Sequence, residues 1–395
     1  MKRAGLIVVG HGMASARLLA DLDQCGFPME SITIIGDEPR SAYNRILLSS
    51  WLAGDVEPDQ LTTHSHSWYS QRGIEVINST TVTQLDLAQR IVSLDDGQQL
   101  SYEQLVVATG SAPVRPQVPG SDSPRVISFR AWEDVQWMQT QLQAGDPVVV
   151  LGGGLLGLEA AYGLAKQGAQ VAVIHRGSGL MNRQLDGPAS EMLADHFTAL
   201  GVKLCLATEA DEIFTAPHQV GWVKTKRGES LPAKAVVAAM GVRPNIALAK
   251  RAGLACQRGI VVDAQLATSD PHVFALGECC QVGEHTFGLV APIWEQSKAL
   301  AKRLCQQPAE YQVTPTMTQL KIGGISIFSG GEQCGDENQS LTYHDPDAGI
   351  YRKLWRSGSR LTGAVMIGQS ENSMRAFDYL SGEALPDDCF SLVLS

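Results

Sequence analysis

Two glycine-rich turns constrain the fold of this 395-residue chain more than any other feature of its sequence. The first is GHGMAS at residues 10–15, and the second is GGGLLG at residues 152–157. Each follows an apolar run and precedes a helical pattern, so the glycines stand where a strand turns sharply into a helix. Backbone N–H groups at such a helix start face a pyrophosphate. The two turns therefore predict two bound dinucleotides.

Composition narrows the classes of protein that fit. The formal net charge is −10 and no basic stripe is visible, which argues against a nucleic-acid binder, because such proteins cluster Lys and Arg against phosphates. No uninterrupted apolar run is long enough to span a bilayer, so a membrane protein is not expected. The first strand begins before a signal peptide could fit, which leads us to expect a cytoplasmic protein.

The cysteines are scattered along the chain. None stands in a Cys-x-x-Cys spacing, which disfavours a structural zinc site, an iron–sulfur cluster and a dithiol redox centre. We interpret the adjacent Cys279 and Cys280 as packed thiols beside a cofactor. His64 and His66 have no third ligand at suitable spacing, so we expect a polar loop there and assign no metal site. The cysteines are Cys25, Cys205, Cys256, Cys279, Cys280, Cys305, Cys334 and Cys389.

Each glycine turn opens a βαβ unit. Both units end on an apolar strand followed by a glycine turn, at residues 105–110 and 236–241, which suggests one module used twice. The proline-rich residues 113–120 disfavour helix and separate the two units. After the second unit, a strand at 273–276 and a helix at 294–304 return to the first. The other predicted elements are strands at 5–9, 32–35, 74–77, 91–94, 105–108, 148–151, 171–174 and 236–239, and helices at 13–23 and 155–167.

The C-terminal segment has a different pattern. Short alternating runs separated by Gly, Asp and Ser predict an antiparallel sheet, at residues 320–322, 325–328, 349–355 and 361–367. We therefore predict an α/β fold with two Rossmann-like dinucleotide-binding domains, the second inserted in the first, and a small C-terminal α+β domain. The predicted boundaries are 1–118 and 241–310 for the first domain, 119–240 for the second and 311–395 for the third.

The residues after the second strand of each unit are candidates for contacts with an adenosine ribose. Asp37 and Glu38 follow the first unit's strand, where a carboxylate accepts both ribose hydroxyls and favours a dinucleotide without a 2′-phosphate. His175 and Arg176 follow the second unit's strand, where an imidazole beside a guanidinium could attract a 2′-phosphate. Either pair could instead point into solvent. The sequence leaves the choice between NADH and NADPH open.

Two further segments suggest a flavin at the first turn. The loop after Glu38 carries Arg45, and an arginine beside a flavin makes fixed hydrogen bonds and stabilises negative charge on the reduced ring. This loop holds no cysteine, which disfavours a thiol-dependent flavoenzyme. The segment around Trp294 resembles a helix start, which would favour an anionic ring if it faces the flavin and would otherwise be an ordinary helix start.

The order of these motifs resembles that of the FAD-dependent pyridine nucleotide oxidoreductases. The motifs are the two glycine turns, ATG at 108–110, GVRPN at 241–245 and ALGE at 275–278. The chain is also similar to the flavoprotein part of NAD(P)H-dependent nitrite reductase large subunits and to electron-transfer subunits of assimilatory nitrate reductase. The tail is similar to the small C-terminal domain of rubredoxin and ferredoxin reductases. The segments that carry the narrower similarity lie at residues 43–49, 155–161, 183–186, 277–279 and 288–296.

The resemblance implies FAD and NADH or NADPH as cofactors. The catalytic candidates are Arg45 and Glu159. The resemblance places FAD on Gly10, Gly12, Ser15, Asp37 or Glu38, Arg45, Thr109, Gly110, Arg130, Gly277 and Glu278. It places the nicotinamide cofactor on Gly152, Gly154, Gly157, Glu159, His175 and Arg176. The cofactor-binding set is completed by Ala14, Val82, Ala108, Leu155, Gly241 and Trp294.

The chain departs from the family pattern in two ways. Ferredoxin reductases carry a lysine where this chain has Ser50, so a Lys–Glu159 pair beside the nicotinamide cannot form, and we hypothesise that Arg45 takes part of that role. A complete nitrite reductase large subunit continues into iron–sulfur and sirohaem domains, and nothing in this sequence could ligate either group. Nitrite reduction by this chain alone is therefore not expected.

The expected function is that of an NAD(P)H-oxidising FAD subunit that passes electrons to a separate protein. The preferred acceptor is the catalytic subunit of an assimilatory nitrate or nitrite reductase, followed by rubredoxin or a small iron–sulfur protein. Two alternatives remain open. One is an NAD(P)H oxidase that uses oxygen or quinone directly, and the other is a redox-sensing flavoprotein without fast turnover.

Overall fold

The computed structural model describes residues 2–216, 219–314, 316–332, 339–368, 373–383, 385 and 392. The chain divides into two compact units. Unit 1 contains Met1–Arg45, Glu57–Ala112 and Val242–Val313, and unit 2 contains Ile46–Val56, Pro113–Gly241 and Thr314–Ser395. Within the described ranges, no helix is both long enough and apolar enough to cross a bilayer.

The elements are numbered along the chain. The strands are β1 (Lys2–Val9), β2 (Ile32–Ile35), β3 (Glu75–Ile77), β4 (Val82–Asp86), β5 (Ile91–Leu94), β6 (Gln99–Val107), β7 (Ser111–Pro113), β8 (Val126–Ser128), β9 (Pro147–Leu151), β10 (Gln170–Ile174), β11 (Lys203–Cys205), β12 (Ala210–Ala216), β13 (Gln219–Thr225), β14 (Ser230–Ala233), β15 (Ala235–Ala238), β16 (Val242–Pro244), β17 (Ile260–Val262), β18 (Val273–Ala275), β19 (Cys280–Val282), β20 (His285–Thr286), β21 (Met317–Ile322), β22 (Ile325–Gly331), β23 (Ser340–Asp345), β24 (Ile350–Ser357) and β25 (Arg360–Ile367). The α-helices are α1 (Met13–Gln24), α2 (Leu48–Leu52), α3 (His66–Gln71), α4 (Trp132–Gln141), α5 (Leu155–Lys166), α6 (Gly187–Ala199), α7 (Ala247–Arg251), α8 (Val290–Leu304) and α9 (Ser373–Leu380).

Unit 1 is built on a sheet with the strand order β3-β2-β1-β6-β5-β4. The two halves of β6 pair differently, because residues 105–107 run parallel to β18 and residues 99–101 run antiparallel to β5. Leu6, Ile7 and Val8 of β1 are fully buried, as a parallel strand covered on both faces requires. Since β1, β6 and β18 are parallel neighbours, their carboxyl ends lie at one edge of the sheet, where ligands bind in such folds.

Unit 2 contains a parallel sheet with the order β11-β10-β9-β15-β8 and an antiparallel sheet of β12, β13 and β14. Its C-terminal part is an antiparallel sheet with the order β21-β22-β25-β24-β23. A separate apolar cluster that includes Phe328, Leu354 and Leu380 forms the core between this sheet and α9. The carboxyl ends of β9, β10 and β15 again share one edge.

The α/β class with two dinucleotide-type parallel sheets and an antiparallel C-terminal sheet is confirmed. The bounds of β2 and β5 are those that the sequence predicts. Helix α8 starts at Val290, before the predicted start at Trp294, because Pro292 is accommodated in its first turn. Strand β23 and the sheet of β12, β13 and β14 were not predicted. Polar and apolar residues follow one another without a clean alternation in β12 and β13, and the alternation in β14 and β23 is short.

Candidate functional site

The first glycine turn connects β1 to α1. Gly10 has a φ of +106°, and a Cβ atom there would lie 2.2 Å from the carbonyl oxygen of Ala108, so this position requires glycine. The Ser15 hydroxyl donates to the Gly10 carbonyl oxygen at 2.5 Å and fixes the turn. A Cβ atom on Gly12, the residue before α1, would meet nothing within 4 Å. The space before the N–H groups of the helix start is therefore open, which fits a pyrophosphate.

The second glycine turn connects β9 to α5 and repeats this geometry. Gly152 has a φ of +124°, and a Cβ atom there would lie 2.2 Å from the Ala239 carbonyl oxygen. A Cβ atom on Gly157 would lie 2.0 Å from the Gly152 carbonyl oxygen, so helix and strand pack too closely for a side chain. Gly154 precedes Leu155, the first residue of α5, and again a Cβ atom would meet nothing within 4 Å. This turn also fits a pyrophosphate.

Three segments of unit 1 meet beyond the carboxyl ends of β6 and β18. The Thr109 hydroxyl donates to the Asn245 carbonyl oxygen, and the Asn245 side-chain amide donates to the Thr109 carbonyl oxygen, both at 2.8 Å. The Asn245 N–H donates to the carbonyl oxygen of Gly110 at 2.9 Å. The Ser111 hydroxyl donates to the Glu278 carboxylate at 2.7 Å. The structure thereby brings the predicted residues Thr109, Gly110 and Glu278 into one hydrogen-bonded cluster.

Gly277 joins this cluster to helices α1 and α8 of unit 1. Its N–H donates to the side-chain oxygen of the buried Gln296 at 3.0 Å, and its φ is +88°. A Cβ atom on Gly277 would lie 3.0 Å from the Ala14 Cβ, so the predicted residues Ala14 and Gly277 face each other closely. The two backbones approach this closely because one position is glycine and the other is alanine.

The carboxylates after β2 have different surroundings. Glu38 accepts a hydrogen bond from the Tyr43 hydroxyl at 2.9 Å and pairs with the Arg45 guanidinium. The Arg45 guanidinium also lies 5.1 Å from the centre of the Tyr43 ring. Asp37 is exposed. Glu38 and Tyr43 therefore orient Arg45, and Asp37 is the more accessible carboxylate for a ribose.

Glu159 is the titratable group of the second turn. It lies in α5, and burial raises the pKa of its carboxyl to about 7. Ser50 is in α2, which packs against α5 within unit 2, and it carries no charge that could offset this burial. The carboxyl of Glu159 can therefore take up or release a proton near neutral pH.

His175 and Arg176 follow β10 but differ in role. The Gly153 N–H donates to His175 Nδ1 at 3.1 Å. Burial, and after it the charge of Arg176, lower the pKa of His175, so its imidazole is neutral. Arg176 is exposed. His175 therefore supports the glycine turn, and Arg176 is the group of this pair that is available to a 2′-phosphate.

The other predicted residues, Val82, Trp294, Arg130 and Gly241, lie in different parts of the two units. Val82 lies in the apolar core of unit 1, opposite Leu94. The Trp294 ring lies in α8 with the Arg17 guanidinium 5.6 Å from its centre. Arg130 and Gly241 belong to unit 2: the Arg130 N–H donates to the Asp134 carboxylate, and the Gly241 carbonyl oxygen accepts from the Val114 N–H.

The adjacent cysteines are buried and protonated. Cys279 and Cys280 have no exposed surface, and their thiols lie within hydrogen-bond reach of the carbonyl oxygens of Leu276 and Gly277. Burial raises the pKa of both thiols. They have the surroundings of packed thiols rather than of reactive thiolates. The cysteines Cys334 and Cys389 lie outside the described residues, and among the described ones no group of three His, Cys, Asp or Glu side chains is arranged to hold a metal ion.

Three residues of this edge were not predicted from the sequence, namely Ser111, Asn245 and Gln296. Asn245 and Gln296 lie within quoted motifs, but their roles depend on contacts between segments far apart in the chain. Ser111 and Asn245 are polar residues close to a glycine turn, which is a signal in the sequence, whereas Gln296 inside α8 has no such signal.

The fold has two glycine turns, one in each unit, and each leaves open space that fits a pyrophosphate. Residues 5–297 match the family described as pyridine nucleotide-disulphide oxidoreductase, and residues 316–383 match the rubredoxin NAD+ reductase C-terminal domain. The chain belongs to the pyridine nucleotide-disulphide oxidoreductase family. It is an oxidoreductase, and the cofactors of its family are FAD and NAD(P)H.

Two Bacillus subtilis proteins are similar to nearly the whole of this chain. It is 39% identical over 382 residues to the assimilatory nitrate reductase electron transfer subunit of Bacillus subtilis (strain 168), covering 96% of this chain and 49% of that protein. It is 36% identical over 386 residues to the NAD(P)H nitrite reductase of the same organism, covering 97% and 48%. The chain thus spans about half the length of these curated relatives. The structure of putidaredoxin reductase in its covalent complex with putidaredoxin has the same fold, with a TM-score of 0.89 and 24% identity over 100% of this chain and 96% of that one.

Proposed function

We propose that this chain is an FAD-containing NAD(P)H dehydrogenase that takes hydride from NAD(P)H and passes electrons to a separate protein. The acceptor in this proposal is the catalytic subunit of an assimilatory nitrate or nitrite reductase. The similarity to the two Bacillus subtilis proteins, one of which is named an electron transfer subunit, supports this acceptor. Cytoplasm is the proposed compartment, since the reducing cytosol keeps thiols free and the described cysteines form no disulfide.

The observation that carries the proposal is the pair of matching glycine turns, each with open space before a helix start. We assign FAD to residues 1–118 and 241–310, NAD(P)H to residues 119–240, and a small C-terminal domain to residues 311–395. Bound FAD would supply the conversion of a two-electron hydride into single electrons. The match of residues 5–297 to the pyridine nucleotide-disulphide oxidoreductase family supports the presence of both cofactors.

In this proposal, backbone and side-chain groups of unit 1 bind FAD and orient Arg45. The N–H groups after Gly12 hold a pyrophosphate, and Asp37 accepts ribose hydroxyls. Glu38 holds Arg45 in one orientation, so that its guanidinium supplies a fixed positive charge without reorganisation during the reaction.

The side chains of unit 2 bind the reductant and hold a proton. The N–H groups after Gly154 receive the second pyrophosphate, and His175 keeps the Gly153 N–H in place. The carboxyl of Glu159 can take up or release a proton near neutral pH, so it would serve as the proton-holding group of a nicotinamide site at this turn.

The buried cysteines argue against a route through protein thiols. A disulfide reductase needs a thiolate, and burial keeps the Cys279 and Cys280 thiols protonated. We therefore propose that electrons pass from the flavin to an external acceptor. The match of residues 316–383 to a rubredoxin reductase domain favours rubredoxin or a small iron–sulfur protein as a second candidate acceptor.

The test is an anaerobic double-mixing experiment. The holoprotein is reduced with one equivalent of NADH or NADPH and then mixed with the nitrate reductase catalytic subunit, rubredoxin, a small ferredoxin or oxygen. We expect reoxidation to be fastest with the nitrate reductase subunit. Fastest reoxidation by oxygen would instead identify an oxidase, and slow reduction by saturating NADH and NADPH would identify a sensor.

A further inference from the structure

Residues 180–186 form a turn between β10 and α6 that touches the second glycine turn. The Met181 N–H donates to the Gly153 carbonyl oxygen at 2.8 Å. Leu180 packs against Gly153 so closely that a Cβ atom on the glycine would lie 2.9 Å from Leu180 Cδ2. Leu180 and Met181 are both buried. This segment, the 180–186 turn, is therefore the support beneath Gly153.

The 180–186 turn is strained at its first hydrogen-bonded residue. Met181 has a φ of +49°, in the left-handed region that a methionine rarely occupies. Its carbonyl oxygen accepts the N–H groups of Gln184 at 2.8 Å and Leu185 at 2.9 Å. Such a conformation persists only where the surrounding structure fixes it.

The C-terminal sheet provides that fixation at the other end of the turn. The Tyr351 hydroxyl donates to Asp186 Oδ2 at 2.5 Å, and Lys353 Nζ lies 3.7 Å from the same oxygen. The Ser329 hydroxyl donates to the Gln184 carbonyl oxygen at 2.6 Å. Tyr351 is 1% exposed, and the side chains of Asp186 and Lys353 are 15% and 16% exposed, so water competes weakly for these bonds.

The protonation state of Tyr351 makes its hydrogen bond to Asp186 a permanent one. Burial, and after it the hydrogen bond to Asp186, raise the pKa of Tyr351 well above its usual range. The hydroxyl therefore remains a hydrogen-bond donor over the whole neutral range.

We propose that Tyr351 and Lys353 are positioning residues for NAD(P)H: through Asp186 and the 180–186 turn they hold the Gly152–Gly154 turn in its binding geometry. The inference rests on the proposed function of that turn. A preorganised site binds more tightly, because the ligand does not have to fix the strained turn itself. Removing the contacts of Tyr351 and Lys353 with Asp186 should therefore weaken binding of the dinucleotide and leave the flavin site of unit 1 unchanged.

The test compares Tyr351→Phe and Lys353→Met with Tyr343→Phe. Tyr343 lies in the same sheet but donates to Asp345 instead of Asp186, so its variant controls for the loss of any sheet hydroxyl. KM and kcat for NADH, FAD content and Tm are measured on the holoprotein with ferricyanide as acceptor. We expect Tyr351→Phe to raise KM roughly fivefold or more with kcat and FAD content nearly unchanged, and Tyr343→Phe to leave KM unchanged.

A second comparison separates positioning from general stability. Met181→Gly removes the strain at the turn, so Tyr351→Phe should raise KM less in that background than in the wild type. If Tyr351→Phe fails to fold, Ser329→Ala, which removes the bond to Gln184, takes its place. A lower Tm with an unchanged KM would overturn the inference. A wild-type holoprotein that NADH and NADPH do not reduce would instead overturn the proposed function.

Discussion

The carbonyl oxygen of Ala239 occupies the position that a side chain on Gly152 would need, 2.2 Å from the site of its Cβ atom. Ala108 stands in the same relation to Gly10, also at 2.2 Å. In both turns a parallel strand passes so close to the glycine that a larger residue would push the two strands apart. The chain thus uses one phosphate-binding device twice.

Replacing Gly154 by leucine should abolish reduction by NAD(P)H and leave FAD bound. The leucine side chain would fill the open space before α5 without straining the backbone, because Gly154 has an ordinary φ of −89°. We expect a loss of about 100-fold or more in kcat/KM for NADH, measured anaerobically with ferricyanide. Gly12→Leu is the matched control and should lose FAD instead. A colourless Gly154→Leu protein would contradict the assignment of the two sites.

Glu159→Gln should change how stability depends on pH. The pKa of Glu159 is about 7 in the folded protein and 4.5 in the unfolded chain, so folding is accompanied by proton uptake between these pH values. The stability that the protonated carboxyl provides is therefore lost as pH rises through 7. The change corresponds to up to about 3 kcal/mol. We therefore expect the Tm of the wild type to fall relative to Glu159→Gln between pH 5 and pH 8, as followed by calorimetry. Parallel pH curves for the two proteins, with the exposed Glu191→Gln as control, would contradict the burial of this carboxyl.

Arg176→Asp should shift the preference toward NADH. The exposed guanidinium is the group available to a 2′-phosphate, and a charge-assisted hydrogen bond of about 1.5–3 kcal/mol corresponds to a change of roughly tenfold or more in the NADPH/NADH ratio of kcat/KM. His175→Ala should instead weaken both cofactors to a similar extent, because His175 supports Gly153. An unchanged ratio in Arg176→Asp would reject a phosphate-recognising role.

Arg45→Met should slow reduction of the flavin. Removing the fixed positive charge should lower the anaerobic reduction rate roughly tenfold or more, with the Kd for NADH unchanged, as measured by stopped flow at 450 nm. Glu38→Gln keeps the guanidinium but loosens it, so a smaller effect is expected. Equal rates for wild type and Arg45→Met would remove Arg45 from the catalytic candidates.

Local features of the fold could be predicted from the sequence. The glycine turns, the strands before them and the helices after them depend on residues next to each other in the chain, and periodicity and turn chemistry identify such elements. The same local pattern identified Asp37, Glu38, His175 and Arg176 as the residues after the second strand of each unit.

Contacts between distant segments could not be predicted. Asn245 and Thr109 exchange hydrogen bonds across 136 residues of sequence, and Tyr351 meets Asp186 across 165. A single sequence gives no information on such pairs. The different roles of His175 and Arg176 could not be predicted either. His175 supports the glycine turn because the Gly153 N–H donates to it, and that contact is visible only in the structure.

The proposed function depends on FAD in the first glycine turn and NAD(P)H in the second. The most direct test is an absorption spectrum of the purified chain before and after anaerobic addition of NADH or NADPH. We expect a flavin band near 450 nm that either nucleotide bleaches, and that remains unbleached in Gly154→Leu. A protein without this band, even after incubation with excess FAD, would contradict FAD binding at the first glycine turn.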